Sequence, residues 1–391
     1  MNLKLIGSSL IIAGTALGAG MLAIPMVLAQ FGLLSGTILM LIIWSGTTYS
    51  ALLLLEASIK VRGGLGMNTI AKQSLGKGGQ LITNGLLYAL LICLLMAYII
   101  GAGDLVHKMV LNLGLDISLV QSQILFAVIA GGIVAAGTGV IDKLNRVLFL
   151  LMLAVLIITL FALVPNMSLA HFFTATNESS IDLIKTSAVL FTSFGFFPVI
   201  PSLVSYNDKA THAQLRNMVL LGSLIPLVCY LLWLYAVVGS LSYEQLTQFN
   251  NVSELINVLA TRFEGIHVIL SLFTGLALLT SFFGVALSLF DQNIDLFKKN
   301  RAVTYVLTFI LPLLGAIFAA DKFLAVLSYA GLIMVFIAVF IPMMMALNLR
   351  KAEGKIQTAI SNDAYYEAGG GQIAMMVCFG FGLFLIGAQV I

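Results

Sequence analysis

Gly14-Thr15-Ala16-Leu17-Gly18-Ala19-Gly20 places three glycines within seven residues of an apolar run, and Pro25 follows shortly after. A second apolar run contains Phe191-Thr192-Ser193-Phe194-Gly195-Phe196-Phe197-Pro198, with Pro201 just beyond it. Glycine and proline both weaken helix interiors, so these stretches predict two helices that unwind at their middle. Irregular backbone inside a membrane is tolerated where it is buried in protein or lines a cavity. Close helix packing through small residues is the alternative explanation.

The composition places both runs in a membrane protein. The chain has 391 residues, of which 60% are hydrophobic and 9% charged, and its mean hydropathy is +1.09. Soluble domains carry about 25% charged residues. These values exclude a soluble enzyme, a nucleic-acid binder and a disordered chain, and they make membrane lipid the surrounding partner. The three cysteines, Cys93, Cys229 and Cys378, lie in apolar runs and indicate neither a disulfide framework nor a metal centre.

Eleven apolar segments are long enough to cross a bilayer as helices, which takes about 20 residues. Numbered as spans 1 to 11, they cover residues 5–30, 33–58, 80–106, 119–140, 145–164, 183–205, 217–239, 265–290, 302–319, 323–347 and 372–390. Fifteen of the 19 lysines and arginines fall on the side of the N-terminus, and the four on the other side are Lys108, Lys185, Arg262 and Lys322. Positive loops stay in the cytoplasm, so we expect a cytoplasmic N-terminus and a C-terminus on the opposite side.

The two glycine- and proline-rich runs lie in spans 1 and 6, the first members of two successive groups of five. Interrupted helices at matching positions of two halves indicate an inverted-repeat transporter and its binding site. We therefore expect one transmembrane domain over residues 1–391, with repeats at 5–164 and 183–347 and an extra helix at 372–390. At each break, freed N–H groups can hold a carboxylate and freed C=O groups can hold an ammonium group or a cation. A zwitterionic amino acid offers both charges.

Three motifs give the chain a family resemblance: Gly14 to Ala23, Phe191 to Phe196, and Thr280-Ser-Phe-Phe-Gly-Val-Ala-Leu-Ser-Leu-Phe-Asp291. Together they resemble the bacterial hydroxy and aromatic amino acid permeases of the amino acid–polyamine–organocation superfamily. The resemblance implies an all-α leucine-transporter-type fold in the bacterial inner membrane, without a cofactor. It also implies import of L-tyrosine by cation symport with alternating access. Permeases for tryptophan or phenylalanine, or for serine or threonine, are the alternatives. A channel or a membrane enzyme would need a polar pore or a polar catalytic cluster.

The resemblance also assigns the candidate substrate residues. The backbone around Gly18, Ala19 and Gly20 would receive the substrate carboxylate, with Thr15 beside it. The ammonium group would be held by carbonyls of span 6, and the side-chain pocket would be walled by phenylalanines of the same span. These residues are Phe191, Thr192 and Ser193 for the carbonyls, and Phe194 and Phe196 for the wall. Independently of the resemblance, Tyr98 and Tyr329 lie deep enough in spans 3 and 10 to meet a polar group of the substrate, whereas aromatic residues near span ends usually form interfacial belts instead.

The coupling ion has two candidate sites. Sodium-coupled members of this fold imply a Na⁺ site whose counterparts here are Gly14, Leu17, Ala277, Thr280 and Ser281. Hydroxyls in apolar spans also commonly bond to their own helix, which is the alternative for Thr280 and Ser281. Proton-coupled relatives often carry a lysine in span 5, where this chain has Met152. The remaining proton candidate is Glu56, whose alternative role is an ion pair with Lys60 one turn away. The sequence leaves H⁺ and Na⁺ both open.

Overall fold

The computed structural model of the protein describes residues 3–61, 66–135, 138–172, 179–246, 251–260, 266–297, 300–356 and 366–390. Across these ranges the chain is helical and contains no strand. The predicted all-α membrane class is therefore confirmed. Each predicted span contains a helix, so we keep the span numbers for the observed helices.

The spans are formed by the following helices. Span 1 comprises helix 1a, Leu3–Ala16, and helix 1b, Ala19–Leu28, while spans 2 to 5 are helix 2, Leu33–Val61, helix 3, Met67–Asn112, helix 4, Leu119–Ala135, and helix 5, Thr138–Leu163. Span 6 comprises helix 6a, Ser187–Ser193, and helix 6b, Ile200–Tyr206, after a short helix at Ser180–Lys185. The rest are helix 7, His212–Ser240, helix 8, Ile266–Phe297, helix 9, Arg301–Ala319, helix 10, Phe323–Val335 continued by Ile341–Ile356, and helix 11, Gly371–Val390. Short helices at Tyr243–Leu246 and Val252–Ala260 lie between helices 7 and 8.

Within the described ranges, nine helices are long and apolar enough to cross a membrane, and the bent pair of span 1 makes ten. Helix 4 has 17 residues and rises about 25 Å, less than the roughly 30 Å of a hydrocarbon core. Eleven crossings therefore remain a prediction. The boundary expected between spans 4 and 5, at residues 140–145, was wrong. Helix 4 ends at Ala135 and helix 5 already begins at Thr138. Hydropathy locates a helix more reliably than its end.

Both predicted interruptions are present. Helix 1a ends at Ala16 and the next helix begins at Ala19, with a bend of 56° between the two halves of span 1. Helix 6a ends at Ser193, and a single 3₁₀ turn at Phe197–Val199 leads into helix 6b. Pro198 and Pro201 lie in the first turns of these elements, where their missing N–H group does no harm.

Helix 10 contains one wide π turn at Phe336–Phe340, which the sequence did not predict. Such a turn leaves a carbonyl without its usual helical partner. Here the Ser50 hydroxyl of helix 2 donates to the Ala338 carbonyl inside the turn. Helices 2 and 10 are thereby joined in the interior of the bundle.

Candidate substrate and ion site

The break in span 1 exposes the start of helix 1b to the centre of the protein. Gly18 has extended backbone torsions, φ 179° and ψ −145°, and precedes the first residue of helix 1b. The Ala19 amide donates to the Ser281 hydroxyl of helix 8 at 2.9 Å. Within the described ranges the amides of Gly18 and Gly20 donate to no acceptor. A helix N-terminus with free amides favours an anionic group such as a carboxylate.

Two glycines of this break are required by close contacts. A Cβ added at Gly18 would lie 2.1 Å from the Ser281 hydroxyl oxygen. A Cβ added at Gly20 would lie 2.8 Å from the backbone Cα of Ser193, at the end of helix 6a. The two breaks are therefore in direct contact at Gly20, and a larger residue there would push them apart, while a larger residue at Gly18 would push the first break away from helix 8.

The break in span 6 keeps most of its polar groups bonded to protein. The Ser193 hydroxyl donates to the Gly20 carbonyl at 2.9 Å, which links the two broken spans. The Thr192 hydroxyl donates to the Ala188 carbonyl at 2.8 Å and lies 3.1 Å from the Leu327 carbonyl of helix 10. The Phe191 carbonyl accepts the Phe194 amide at 3.1 Å. The carbonyls expected to hold an ammonium group thus lie at the break, and the Phe191 carbonyl already accepts one hydrogen bond.

Tyr230 of helix 7 joins both breaks and was missed by the sequence analysis. Its hydroxyl lies 2.7 Å from the Ala16 carbonyl and 2.7 Å from the Ser193 carbonyl. These are the last residues of helices 1a and 6a. No local pattern marks this tyrosine, because its partners are 214 and 37 residues away in the sequence. Its depth, in the middle of an apolar span, was the one available signal.

The residues predicted to wall the side-chain pocket are Phe194 and Phe196. Phe194 and Phe196 are fully buried, and the Phe194 ring packs edge-on against Tyr230 with centroids 5.1 Å apart. The Phe191 ring is also buried and packs against Phe381 of helix 11, with centroids 5.9 Å apart. Tyr98 of helix 3 is buried and interacts with the Ser281 side chain. These positions bring Phe194 and Tyr98 to the same centre as the breaks.

Two predicted substrate residues do not lie at the break. Tyr329 is 63% exposed on the outer surface of helix 10, so its phenol faces away from the centre. The Thr15 side chain is exposed, and its hydroxyl donates to the Ile11 carbonyl of its own helix at 2.8 Å. Position along a span predicts the depth of both residues, but it does not predict which face of the helix each one occupies.

The predicted Na⁺ ligands are only partly assembled. Ser281 and the Ala277 carbonyl approach Gly18, and Leu17 is buried beside it. The Thr280 hydroxyl donates to the Leu276 carbonyl of its own helix at 2.9 Å, the alternative considered above.

Helix 5 covers two positions of the predicted Na⁺ set, Thr280 and Gly14. The Thr280 oxygen lies 3.9 Å from the sulfur of Met152, the residue found at the position where the sequence comparison with proton-coupled relatives predicts a lysine. At Gly14, an added Cβ would lie 3.0 Å from the ring of Phe149. Both side chains that cover the set are uncharged, and both come from helix 5.

One face of helix 8 differs in exposure on the two sides of Ser281. Thr274 and Ala277 lie on the same helical face as Ser281, toward the start of helix 8, and both are buried. Gly284 and Ser288 continue that face toward the end of helix 8, and both are exposed. Small and polar residues are unusual on a surface that faces lipid. We interpret the exposed half as the wall of an opening toward the end of helix 8, the side on which helix 1a begins.

The opposite side is covered by the short helix Val252–Ala260. The Asp104 carboxylate of helix 3 accepts the Ser253 amide at 2.8 Å and the Ser253 hydroxyl at 2.6 Å. Asp104 therefore pins the start of this short helix to the end of helix 3. Below it, the rings of Trp233 and Phe273 pack at 5.4 Å between helices 7 and 8.

Glu56 is fully buried in an ion cluster far from the breaks. Arg350 of helix 10 binds it in a bidentate manner, with Nε 2.7 Å from Oε1 and Nη2 2.6 Å from Oε2. Lys60 lies 3.1 Å from Oε1, which confirms the ion pair considered as its alternative role. The Ala368 amide donates to Oε2 at 2.8 Å. Every lone-pair direction of the carboxylate is engaged, and the Arg350 partner was not predicted.

The segment 366–368, between helices 10 and 11, crosses this cluster. The Glu367 carboxylate lies 4.0 Å from the Lys60 amine and 3.9 Å from the Arg350 guanidinium. The Tyr366 ring packs against His212, at the start of helix 7, with centroids 6.0 Å apart. Burial raises the pKa of Tyr366 to about 12, so its hydroxyl is protonated at neutral pH.

The fold defines a multi-pass helical membrane protein with two broken spans in contact at its centre. The model of the tryptophan/tyrosine permease family matches residues 1–389. The chain therefore belongs to this family, whose members are amino acid transporters and not enzymes. The family resemblance inferred from the three motifs is thereby confirmed.

Individual relatives cover nearly the whole chain. It is 54% identical over 390 residues to glutamine transporter 2 of Aliivibrio fischeri, with 100% of both chains covered. It is 35% identical to tyrosine-specific transport system 1 of Haemophilus influenzae, covering 98% of this chain and 95% of the relative. It is 30% identical to the tryptophan-specific transport protein of Pseudomonas aeruginosa, covering 97% and 93%. Different members of the family thus carry different substrate names.

Proposed function

We propose that this protein imports a neutral L-amino acid across the bacterial inner membrane by cation symport. The observation that carries the proposal is the meeting of three helix ends at one point. Helix 1b begins there, and helices 1a and 6a end there, joined through Ser281, Ser193 and Tyr230. A helix start attracts a carboxylate and helix ends attract an ammonium group, so together they match the two charges of an amino acid.

The side chains at this point favour an uncharged substrate. The side chains described at this point, from helices 3, 7 and 8 and from the end of helix 6a, are those of serine, threonine, phenylalanine and tyrosine, and none of them is charged. A charged substrate side chain would be desolvated there without a partner, which costs several kcal/mol. Tyr98 and Phe194 supply a phenol and an apolar ring for a polar or aromatic side chain.

Glutamine and tyrosine are the two specific substrates we propose to test. Glutamine comes first, because the relative at 54% identity over both full chains is named a glutamine transporter. Tyrosine, which the sequence motifs favoured, is supported by the tyrosine-specific relatives at 35% and 33% identity. Both carry a neutral side chain that ends in a hydrogen-bonding group.

We propose Na⁺ as the coupling ion and H⁺ as the rival. Met152 replaces the lysine of proton-coupled relatives, and it has no proton to exchange. Glu56, the other proton candidate, is saturated by Arg350, Lys60 and the Ala368 amide. Ser281 already points at the break and would be the first Na⁺ ligand, with the Ala277 carbonyl beside it. Thr280 would complete the set by turning away from its own helix.

Alternating access would open the two sides of this site in turn, in a leucine-transporter-type fold of two inverted repeats. We take the conformation described here to be closed on the side of the short helix Val252–Ala260 and open on the side where Gly284 and Ser288 are exposed. With the N-terminus in the cytoplasm, as the positive charges favour, this conformation faces inward. Release of substrate into the cytoplasm would follow this face of helix 8.

Uptake into proteoliposomes tests the proposal. Labelled glutamine and tyrosine are offered separately, with a Na⁺ gradient alone, a pH gradient alone, or neither. We expect accumulation of glutamine, driven by Na⁺ and abolished when the Na⁺ gradient is collapsed. Accumulation driven by the pH gradient alone would identify H⁺, not Na⁺, as the coupling ion. Accumulation of tyrosine alone would identify tyrosine, not glutamine, as the substrate. Absence of accumulation for every neutral amino acid would contradict the proposed function.

A further inference from the structure

The Tyr230 hydroxyl lies where the C-terminal ends of two helices face each other. The Ala16 carbonyl ends helix 1a, the Ser193 carbonyl ends helix 6a, and each lies 2.7 Å from the same phenol oxygen. The C-terminal end of a helix carries a partial negative charge of about half an electron. Two such ends converging in a buried place create a strong preference for a positively charged donor.

A phenol satisfies that preference incompletely. It has one O–H proton, so it can donate to only one of the two carbonyls at a time. Tyr230, Ala16 and Ser193 are all buried, which limits the access of bulk water to the second carbonyl. An ammonium group has three N–H donors and a full positive charge, and it could serve both carbonyls together.

We propose that Tyr230 is a placeholder for the substrate ammonium group. In the empty transporter its hydroxyl bridges the two helix ends, and on binding the substrate ammonium displaces it and takes over both carbonyls. The inference rests on the proposed function and deepens it, because it names the residue that makes the site select for an α-amino group. Tyr230 would be a positioning residue that holds the two breaks together between transport cycles.

Removal of the hydroxyl should therefore tighten substrate binding. In Tyr230→Phe the ring and its contact with Phe194 remain, but both carbonyls lack a donor in the empty protein. A buried acceptor without a partner is unfavourable, and the substrate ammonium would relieve two of them without displacing a phenol. We expect the Kd for the amino acid to fall about tenfold, and turnover to fall because release becomes slower.

The experiment compares the amino acid with its analogue lacking the α-amino group. Equilibrium binding to the purified full-length protein is measured for glutamine against 4-carbamoylbutanoate, and for tyrosine against 3-(4-hydroxyphenyl)propanoate. The matched control is Tyr235→Phe, a phenol of the same helix that lies 3.2 Å from Thr37. We expect Tyr230→Phe to bind the amino acid about tenfold more tightly and the analogue unchanged, while Tyr235→Phe alters neither.

Other outcomes would contradict the proposal that Tyr230 is a placeholder for the substrate ammonium group. Equal weakening of both ligands would make Tyr230 a structural residue, and weakening of the amino acid alone would make its hydroxyl a direct ligand. Failure of the wild-type protein to bind any neutral amino acid would contradict the proposed function itself, independently of Tyr230. If Tyr230→Phe does not fold, near-ultraviolet difference spectra of the wild-type protein provide the test. Glutamine should change the tyrosine absorption, and 4-carbamoylbutanoate should not. A glutamine spectrum without that change would reject the placeholder.

Discussion

The two buried polar regions of this protein are built from different groups. At the helix breaks, the links between helices are neutral hydroxyls, namely those of Ser193, Tyr230 and Ser281. Around Glu56, the links are full charges, with a carboxylate held by Arg350, Lys60 and a backbone amide. Both regions join helices distant in sequence, and both are largely shielded from solvent.

The difference follows from how easily each kind of contact can be exchanged. A neutral hydrogen bond contributes about 0.5–1.5 kcal/mol, so a substrate or an ion can replace it during each cycle. Breaking a buried ion pair destabilises a protein by about 3–5 kcal/mol. We infer that contacts at the breaks change partners during transport, while the cluster keeps helix 2, helix 10 and segment 366–368 together. The Ser50–Ala338 bond is a further contact between helices 2 and 10, although it is itself a neutral hydrogen bond.

The largest effect is expected from filling the break. Gly18→Leu would place side-chain atoms on the Ser281 hydroxyl, 2.1 Å from the added Cβ, and would fill the proposed carboxylate site. We expect uptake to fall at least about 100-fold, since displacements of about 1 Å at a reactive or binding site have effects of that size. Gly132→Leu is the matched control, because a Cβ there meets no atom within 4 Å. Near-normal uptake by Gly18→Leu would contradict the proposal that the substrate binds at this break.

Breaking the charged cluster around Glu56 should lower the free energy of unfolding, and it should leave the coupling of transport to the driving ion unchanged. Glu56→Gln leaves Arg350 and Lys60 without their buried counter-ion, so we expect a loss of about 3–5 kcal/mol. The control is Glu367→Gln, because that carboxylate is 55% exposed and lies about 4 Å from its partners. Its expected loss is below about 1 kcal/mol. Thermal unfolding of the detergent-solubilised protein measures both. A stable Glu56→Gln protein that transports without its driving ion would instead identify Glu56 as the proton carrier.

A smaller effect on uptake is expected from removing the proposed Na⁺ ligand Ser281, and it should distinguish this serine from Ser288 on the same helix. Ser281→Ala removes the hydroxyl that accepts the Ala19 amide and would bind Na⁺, so we expect about tenfold lower uptake without Na⁺ dependence. Ser288→Ala is the control, since its hydroxyl bonds to the Gly284 carbonyl of its own helix at 2.8 Å. Initial uptake rates across a Na⁺ titration measure both variants. Unchanged Na⁺ dependence in Ser281→Ala would exclude this hydroxyl as a ligand.

The sequence predicted what depends on local chemistry. Glycine and proline disfavour helix interiors wherever they occur, so both breaks could be located from Gly14–Gly20 and Phe191–Pro198 alone. Lys60 follows Glu56 by one helical turn, and their ion pair at 3.1 Å could be anticipated for the same reason.

The sequence could not predict what depends on the rotation and packing of distant helices. Arg350 is 294 residues from Glu56, and its charge was equally consistent with a cytoplasmic loop. Tyr230 has the depth of many buried aromatic residues, and Tyr329 has a similar depth but faces outward. In a span that is apolar on all sides, hydropathy gives no direction to either side chain, because lipid and protein interior are equally apolar.

The central claim is that the break is reached along one half of helix 8, and it can be tested by the reactivity of single thiols. Ser288→Cys and Thr274→Cys lie on the same face of that helix, on opposite sides of Ser281, in a background where Cys93, Cys229 and Cys378 are replaced. We expect a membrane-impermeant maleimide to modify Ser288→Cys much faster than Thr274→Cys in the empty purified protein. Saturating amino acid with Na⁺ should slow the reaction at Ser288→Cys. Equal rates at the two positions, or a rate at Ser288→Cys that substrate leaves unchanged, would contradict the account.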